Sequence, residues 1–226
     1  MFLDTLTQRL NQSIHRYPEV LSYLNSRSVT DEDIRDYGIG YSKLISVPKE
    51  ANTDYKRFMD ECWRGRKLEN KIVFPIKDKL NRVVGLIGRS FDTKEFKIFV
   101  TEEAKFTGFF YGLPQALPHI YREKKAYLVE GEFDMYAVRR VFPNTVSTLT
   151  SGMSENQYVL IKRYCDKIVV IFDSDKPGDR GAKEALEYEG VDKMSLGYKD
   201  PAKALEVLGE NRFKELVLRG IGQYGI

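Results

Sequence analysis

The stretch Ile168-Val-Val-Ile-Phe-Asp173-Ser-Asp175-Lys-Pro-Gly178 sets an apolar run against two carboxylates one residue apart and then a glycine turn. Five apolar residues, rich in β-branched side chains, read as a buried strand. On an extended strand residues i and i+2 face the same way, so Asp173 and Asp175 reach toward one point beyond the strand tip. Two such carboxylates repel unless they are solvated, protonated or bridged by a cation. A hard divalent ion suits them: Mg²⁺ takes one or two carboxylates, several waters and substrate phosphates.

Working outward, Ala126-Tyr-Leu-Val-Glu130-Gly131 is a second apolar run that ends in an acid, with Asp134 four residues on. A helix opening at Gly131 places Asp134 near Glu130 in its first turn. In an open α/β sheet ligands bind outside the carboxyl ends of the strands, and both acidic tips belong at that rim. Asp200, in Leu196-Gly-Tyr-Lys-Asp200-Pro201, is a third candidate. An isolated Asp after a strand is commonly a helix cap or turn residue. That reading stands beside the ligand role for Asp134 and Asp200. For the Asp173/Asp175 pair, two acids on one side call for more than one cap. Glu132 and Asp179 read as solvated helix-face charges.

The pattern around these tips is strand–helix alternation. Strands are predicted at 126–130, 145–149, 167–172 and 192–196, each followed by a helix: 132–141, 154–164, 178–188 and 201–208. Alternation of this kind implies a parallel sheet with right-handed crossovers. A further helix, 211–219, follows Gly209. Upstream the pattern differs. Phe2, Leu6, Leu10 and Ile14 give helical spacing over 2–15, and a short helix fits 19–26. Thr30-Asp-Glu-Asp33 opens another helix with a capping-box-like sequence, ending before Gly38. Residues 70–76 and 83–88 read as strands around the turn Lys79-Leu-Asn81-Arg, with a third strand at 96–100. The expected organisation is a basic α+β subdomain over 1–120, a parallel-sheet α/β domain over 121–208, and a C-terminal helix and tail over 209–226. Pro114 and Pro118 mark the division.

The 226 residues carry a net charge of +3, with 42% hydrophobic and 31% charged residues, an ordinary balance for a soluble protein. Whole-chain charge argues little, but its distribution argues more. Arg64, Arg66, Lys67, Lys71, Arg89, Lys94, Lys97 and Lys105 crowd one third of the chain, upstream of the acids. That arrangement suits a polyanion whose reacting phosphate meets a divalent ion. No apolar run reaches membrane length. Asp4 interrupts any signal-peptide core, so the expected location is the cytoplasm. Cys62 and Cys165 are too few for a zinc ribbon and read as reduced structural residues. No phosphate-binding Gly-x-x-x-x-Gly-Lys-Ser/Thr motif is present, which excludes a P-loop motor.

The order Glu130-Gly131-x-x-Asp134, Asp173-x-Asp175-x-x-Gly178, Lys199-Asp200-Pro201 resembles the Toprim domain shared by DnaG-type primases, topoisomerases and some nucleases. Tyr23-Leu-x-x-Arg27 through Ile39-Gly-Tyr41 resembles the segment that opens the primase polymerase core. Lys71-Ile-Val-Phe74-Pro75-Ile-Lys-Asp78 with Val84-Gly85-Leu-Ile-Gly88-Arg89 resembles the basic hairpin ahead of Toprim. The resemblance runs over residues 20 to 208. It implies a primase core that makes RNA primers from ribonucleoside triphosphates on single-stranded DNA with two or more Mg²⁺ or Mn²⁺ ions. It implies Glu130, Asp173 and Asp175 as catalytic residues and Glu130, Asp134, Asp173, Asp175 and Asp200 as metal ligands. Glu130 would bind metal or act as general base. Lys71, Arg89, Lys97 and Lys105 would contact nucleotide or DNA. A helicase, a single-strand-binding protein or a separate zinc module would be the partner, and no membrane is involved. The same acids serve a Toprim nuclease, and a non-catalytic DNA-binding recombination mediator is a third possibility. One departure stands out. The family's Asp-Pro-Asp is here Asp200-Pro201-Ala202, one carboxylate short.

Overall fold

The computed structural model describes residues 2–43, 53–58, 68–93 and 95–224. The chain forms two compact units, Met1–Lys105 and Phe106–Ile226.

The first unit opens with α1 (Phe2–Ile14), α2 (Pro18–Ser26) and α3 (Asp31–Tyr37). The capping box of α3 forms as its sequence indicates. Thr30 accepts from the Asp33 amide while the Asp33 carboxylate accepts from the Thr30 amide, and Gly38 ends the helix in the left-handed region at φ 72°. Then come β1 (Gly40–Ser42), α4 (Thr53–Phe58), β2 (Lys71–Lys77), β3 (Val83–Arg89), β4 (Phe96–Val100) and α5 (Glu102–Thr107). The strands make an antiparallel sheet in chain order, with Phe74 opposite Ile87 and Ile87 opposite Ile98. A proline inside a strand normally marks an edge, because it has no N–H for the ladder. Pro75 is accommodated because β1 pairs only with Lys71–Val73, leaving the rest of β2 open on that side. Leu3, Leu6 and Leu10 of α1 pack with Val73, Leu86 and Phe99 to form the core of this unit. At roughly 25 cal/mol per Å² of apolar surface removed from water, such burial is the main stabilising contribution.

The second unit contains α6 (Leu113–Glu123), β5 (Lys125–Val129), α7 (Glu132–Arg139), β6 (Thr145–Ser147), α8 (Glu155–Ile161), β7 (Lys167–Val170), α9 (Lys176–Ala185), β8 (Val191–Lys193) and α10 (Pro201–Tyr224), which breaks at Gly209. Its four strands are parallel in the order β6-β5-β7-β8. Ala126, Leu128, Val146, Ile168 and Val170 face a core completed by α6, α8 and α9. The opposite side is packed by α7, with α10 against it. The helices that follow β5 and β7 therefore leave on opposite faces, and a switch point opens between those two strand tips.

The division between units falls at Lys105/Phe106, upstream of the 120/121 boundary read from the sequence. Pro114 and Pro118 do not end an element. Pro114 sits in the first turn of α6, where its missing N–H has no partner to lose, and Pro118 lies within the helix. The buried stripe of Leu113, Ala116 and Ile120 holds α6 to the sheet despite the lost bond. Residues 209–224 likewise belong to the second unit, with Phe213 and Val217 buried. Cys165 is a buried free thiol whose Sγ donates to the Ile161 carbonyl, and Cys62 lies outside the described residues.

Candidate active site at the tips of the parallel sheet

Glu130 follows β5 and Asp173 follows the apolar run of β7. The two tips meet as neighbours: the Asp173 amide donates to Glu130 Oε1 at 3.0 Å. The ladder behind them continues through the Ile171 amide to the Leu128 carbonyl at 2.8 Å. Gly178, in the first turn of α9, packs directly over this contact. A Cβ there would strike the Asp173 carbonyl and come within 2.6 Å of Glu130 Oε1. Only glycine permits that approach.

The other acids arrive on helix starts. Asp134 is buried, and both its oxygens are used. Oδ2 accepts from the Gly131 amide at 3.2 Å and Oδ1 from the Ala202 amide at 2.9 Å. It ties the start of α7 to the start of α10. Asp175 caps α9, accepting from the Gly178 amide at 2.9 Å, and is otherwise exposed. Asp200 caps α10, accepting from the Lys203 amide at 2.6 Å. The capping role weighed for these residues from sequence is thus realised in Asp175 as well as Asp200. The Ser174 amide donates to the Lys199 carbonyl at 2.7 Å, which docks the Asp173–Asp175 loop on the segment before α10.

The electrostatics follow from burial and like charge. Burial pushes the Asp173 carboxyl from its ordinary 3.8 up to about 7, helped by Glu130, Asp200 and Asp175 and opposed by Lys199. Burial also lifts Asp134 to about 7, opposed by its bond from Ala202 and assisted by Asp173, Asp200 and Glu132. Glu130 is raised by burial, with the Asp173 amide pulling the other way and Asp175 and Asp134 adding repulsion. All five predicted acids therefore share one electrostatic neighbourhood. Among the described residues no three acidic, histidine or cysteine side chains close into a complete cage for an ion. The chemistry of the donors nevertheless fits a hard cation. Asp173 Oδ1 is buried with no hydrogen-bond partner among the described residues. A buried, unanswered carboxylate oxygen costs free energy until something positive meets it.

Glu132 differs from its sequence reading as a solvated charge: it is 1% exposed. The reason is that α7 buries every residue from Glu132 to Val138. The signal was present in Phe133-Asp-Met-Tyr-Ala-Val138, which is apolar around most of its circumference, the mark of a helix covered on both sides. Asp179 is exposed, as expected, and pairs with Lys193 at 2.9 Å.

The cationic candidates lie on the first unit. Arg89, at the end of β3, holds its guanidinium 5.3 Å from the Phe96 ring centroid. Lys105 is half exposed, 3.5 Å from Glu102. Lys71 is buried and already answered, with Nζ 2.6 Å from Glu95 and 3.3 Å from the Ser90 hydroxyl. Lys97 pairs with Gly88 in the ladder. Its side chain lies outside the described residues, as do Arg64, Arg66, Lys67 and Lys94.

With this geometry in hand, comparison with known proteins places both units. Residues 6–108 match the model of the DNA primase catalytic core N-terminal domain, and residues 127–205 match a Toprim-like model. The chain is a DnaG-type primase core. A DNA primase of Rickettsia typhi is 28% identical over 179 residues, which is 71% of this chain and 30% of that protein. The core thus spans under a third of that relative's length. A DNA primase domain from Pseudomonas aeruginosa superposes with a TM-score of 0.78 at 24% identity, over 96% of this chain and 77% of that one. A DnaG primase catalytic domain bound to single-stranded DNA superposes at 0.73 with 22% identity, over 96% of this chain and 79% of that one. Among the described residues of this core no helix is long and apolar enough to cross a membrane.

Proposed function

We propose that this primase core joins ribonucleotides into short RNA primers on a single-stranded DNA template. The reading rests on one observation above others. Glu130 and Asp173 are bonded across the switch point of a parallel sheet, with Asp173 Oδ1 buried and unanswered. That arrangement holds negative charge where a divalent ion and a nucleotide triphosphate would complete it.

Bound Mg²⁺ or Mn²⁺ would supply Lewis-acid stabilisation of the phosphoryl oxygens and a lowered pKa for the attacking hydroxyl. Glu130, Asp173 and Asp175 would hold the ions, with waters and triphosphate oxygens filling the remaining positions. Asp134 supports them from behind, because both its oxygens are engaged by backbone amides that fix the starts of α7 and α10. Asp200 fixes the loop that receives Ser174. In the reaction the 3′-hydroxyl of the growing strand attacks the α-phosphorus, its proton leaves to a base, and pyrophosphate departs. Glu130 would either bind metal or take that proton, and burial and neighbouring acids raise its affinity for one. Arg89, Lys97 and Lys105 would neutralise phosphates of template or nucleotide. Lys71 would join them by exchanging Glu95 for a phosphate.

A related primase domain carries single-stranded DNA, which supports that template here. Efficient initiation would call on a helicase, a single-strand-binding protein or a separate zinc module. The test is incubation of single-stranded DNA with ribonucleoside triphosphates and Mg²⁺ or Mn²⁺. Short RNA products are expected. Shortened DNA in their place would assign a nuclease, and bound but unaltered DNA would assign a recombination mediator.

A further inference from the structure

The acidic rim of the second unit has a cation built into it, Lys199, whose ammonium has no role in the chemistry proposed above. Lys199 stands immediately before Asp200. Its backbone carbonyl receives the Ser174 amide at 2.7 Å, so it is fixed to the Asp173–Asp175 loop by a bond independent of its side chain. Its ammonium lies 4.0 Å from Asp200 Oδ2, at the outer limit of an ion pair, and the side chain is 71% exposed. It is therefore anchored at the base and loose at the tip. Two other lysines of this region are committed: Lys193 to Asp179 at 2.9 Å and Lys203 to Glu206 at 2.7 Å. Of the charges that bear on the Asp173 carboxyl, Lys199 is the one cation among four acids and bases. Three residues on, Ala202 offers the rim only a backbone amide, which it gives to Asp134. The rim is thus one carboxylate poorer and one ammonium richer than a set of acids built solely to collect metal ions.

We propose that Lys199 is a specificity-determining phosphate contact of this site, taking the terminal phosphates of the incoming nucleoside triphosphate directly. The inference rests on the primase reading and adds to it a named residue. A lysine ammonium binds phosphate as a mobile point charge with three donors. Exposed and only loosely held by Asp200, it exchanges that carboxylate for a phosphate at little cost. The same charge weakens the hold of the neighbouring acids on a divalent ion when no nucleotide is present. Two opposite consequences follow from one side chain. Removing Lys199 lowers affinity for polyphosphate and raises, or leaves unchanged, affinity for the free ion.

The experiment uses the full chain and three variants, Lys199→Ala, Lys199→Arg and Lys176→Ala, the last being a nearby exposed lysine at the start of α9. Binding of inorganic tripolyphosphate in Mg²⁺ is measured by calorimetry, and binding of Mn²⁺ alone by electron paramagnetic resonance. Lys199→Ala is expected to lose roughly tenfold in tripolyphosphate affinity, the size of one charge-assisted hydrogen bond. It should keep or gain affinity for Mn²⁺, and in primer synthesis raise KM for nucleotide more than it lowers kcat. Lys199→Arg restores KM, and Lys176→Ala changes little. Unchanged tripolyphosphate binding in Lys199→Ala overturns the proposal. So does an equal loss in Lys176→Ala, which would mean a diffuse field, or a parallel loss of Mn²⁺, which would mean a distorted site. If the wild-type chain binds tripolyphosphate through Lys199 but makes no primers, the primase reading fails and the Lys199 contact stands. Primer synthesis with an indifferent Lys199 gives the reverse.

Discussion

Asp173 carries two demands that oppose each other, and their conflict is measurable. Its carboxyl is held at about 7 because burial and three neighbouring acids disfavour the charge. A group whose folded pKa exceeds its unfolded value stabilises the fold below the unfolded value, and that contribution is lost as pH rises through the folded one. For Asp173 the window runs from its ordinary 3.8 to about 7. In chelator, Asp173→Asn is expected to melt above the parent protein at pH 8, the gap closing as pH falls from about 7 to about 4. The same variant, and Glu130→Gln, should lose primer synthesis by on the order of a hundredfold or more, the scale of damage to a metal's immediate surroundings. Thermal melts across pH, paired with primer assays, check both. Near-normal primer yield from either variant would remove Glu130 and Asp173 from the mechanism. At this scale the sequence was informative about residue type and less so about employment. The spacing of Asp173 and Asp175 is visible in the chain. That Asp175 turns back to cap α9 depends on Gly178 entering the helix at that point, a local competition the i, i+2 rule does not contain.

Among the elements, α9 is the one on which the site is built, and Gly178 is its critical residue. A methyl group there meets the Asp173 carbonyl, which is backbone and yields only if the loop moves. Gly178→Ala is expected to destabilise the chain by about 1–3 kcal/mol through overpacking. It should also depress primer synthesis more than that loss of stability explains, because the displaced atoms belong to Glu130 and Asp173. Chemical denaturation and primer assays at a temperature where the variant remains folded separate the two effects. Full activity with unchanged stability would show that α9 shifts freely. The strands 71–77, 83–89 and 96–100 were legible because apolar runs were separated by polar turn residues, with Asn81 taking the left-handed conformation at φ 64°. Helix α6 was not legible, because its two prolines argue for a break and only the packing of Leu113, Ala116 and Ile120 on the sheet overrides them. Glu132 was misread although the signal was there: α7 is apolar around most of its circumference, and it packs against β5 and β6 as well as α10.

For the molecule as a whole, the alternation of strands and helices from residue 126 onward fixes a parallel sheet, and the chain's order of basic then acidic segments matches a two-part core. What neither composition nor spacing supplied was the placement of each cation. Lys71 is folded into an ion pair, whereas Arg89 and Lys105 remain near the surface. Arg89→Ala is therefore expected to weaken DNA or nucleotide binding and, for a phosphate contact, to reduce the slope of log affinity against log salt by about one. Titrations at several salt concentrations measure it, and an unchanged slope would make Arg89 an ordinary surface charge. Cations hold the backbone without reading bases. The isolated core should thus initiate with little preference among template trinucleotides, and priming on templates varied at each trinucleotide tests this. Strong initiation at one of them would show that the core reads sequence unaided.

The single amide of Asp173 has a consequence beyond the site it helps to build. It is donated from one strand tip to the side chain of another, across 43 residues of chain. Its exchange with deuterated solvent therefore clocks the parting of the two tips, while the amide of Ile171, two residues earlier and bound to the Leu128 carbonyl, clocks the opening of the sheet itself. The ratio of the two rates would register whether nucleotide and metal clasp the tips together, with no label added to the protein.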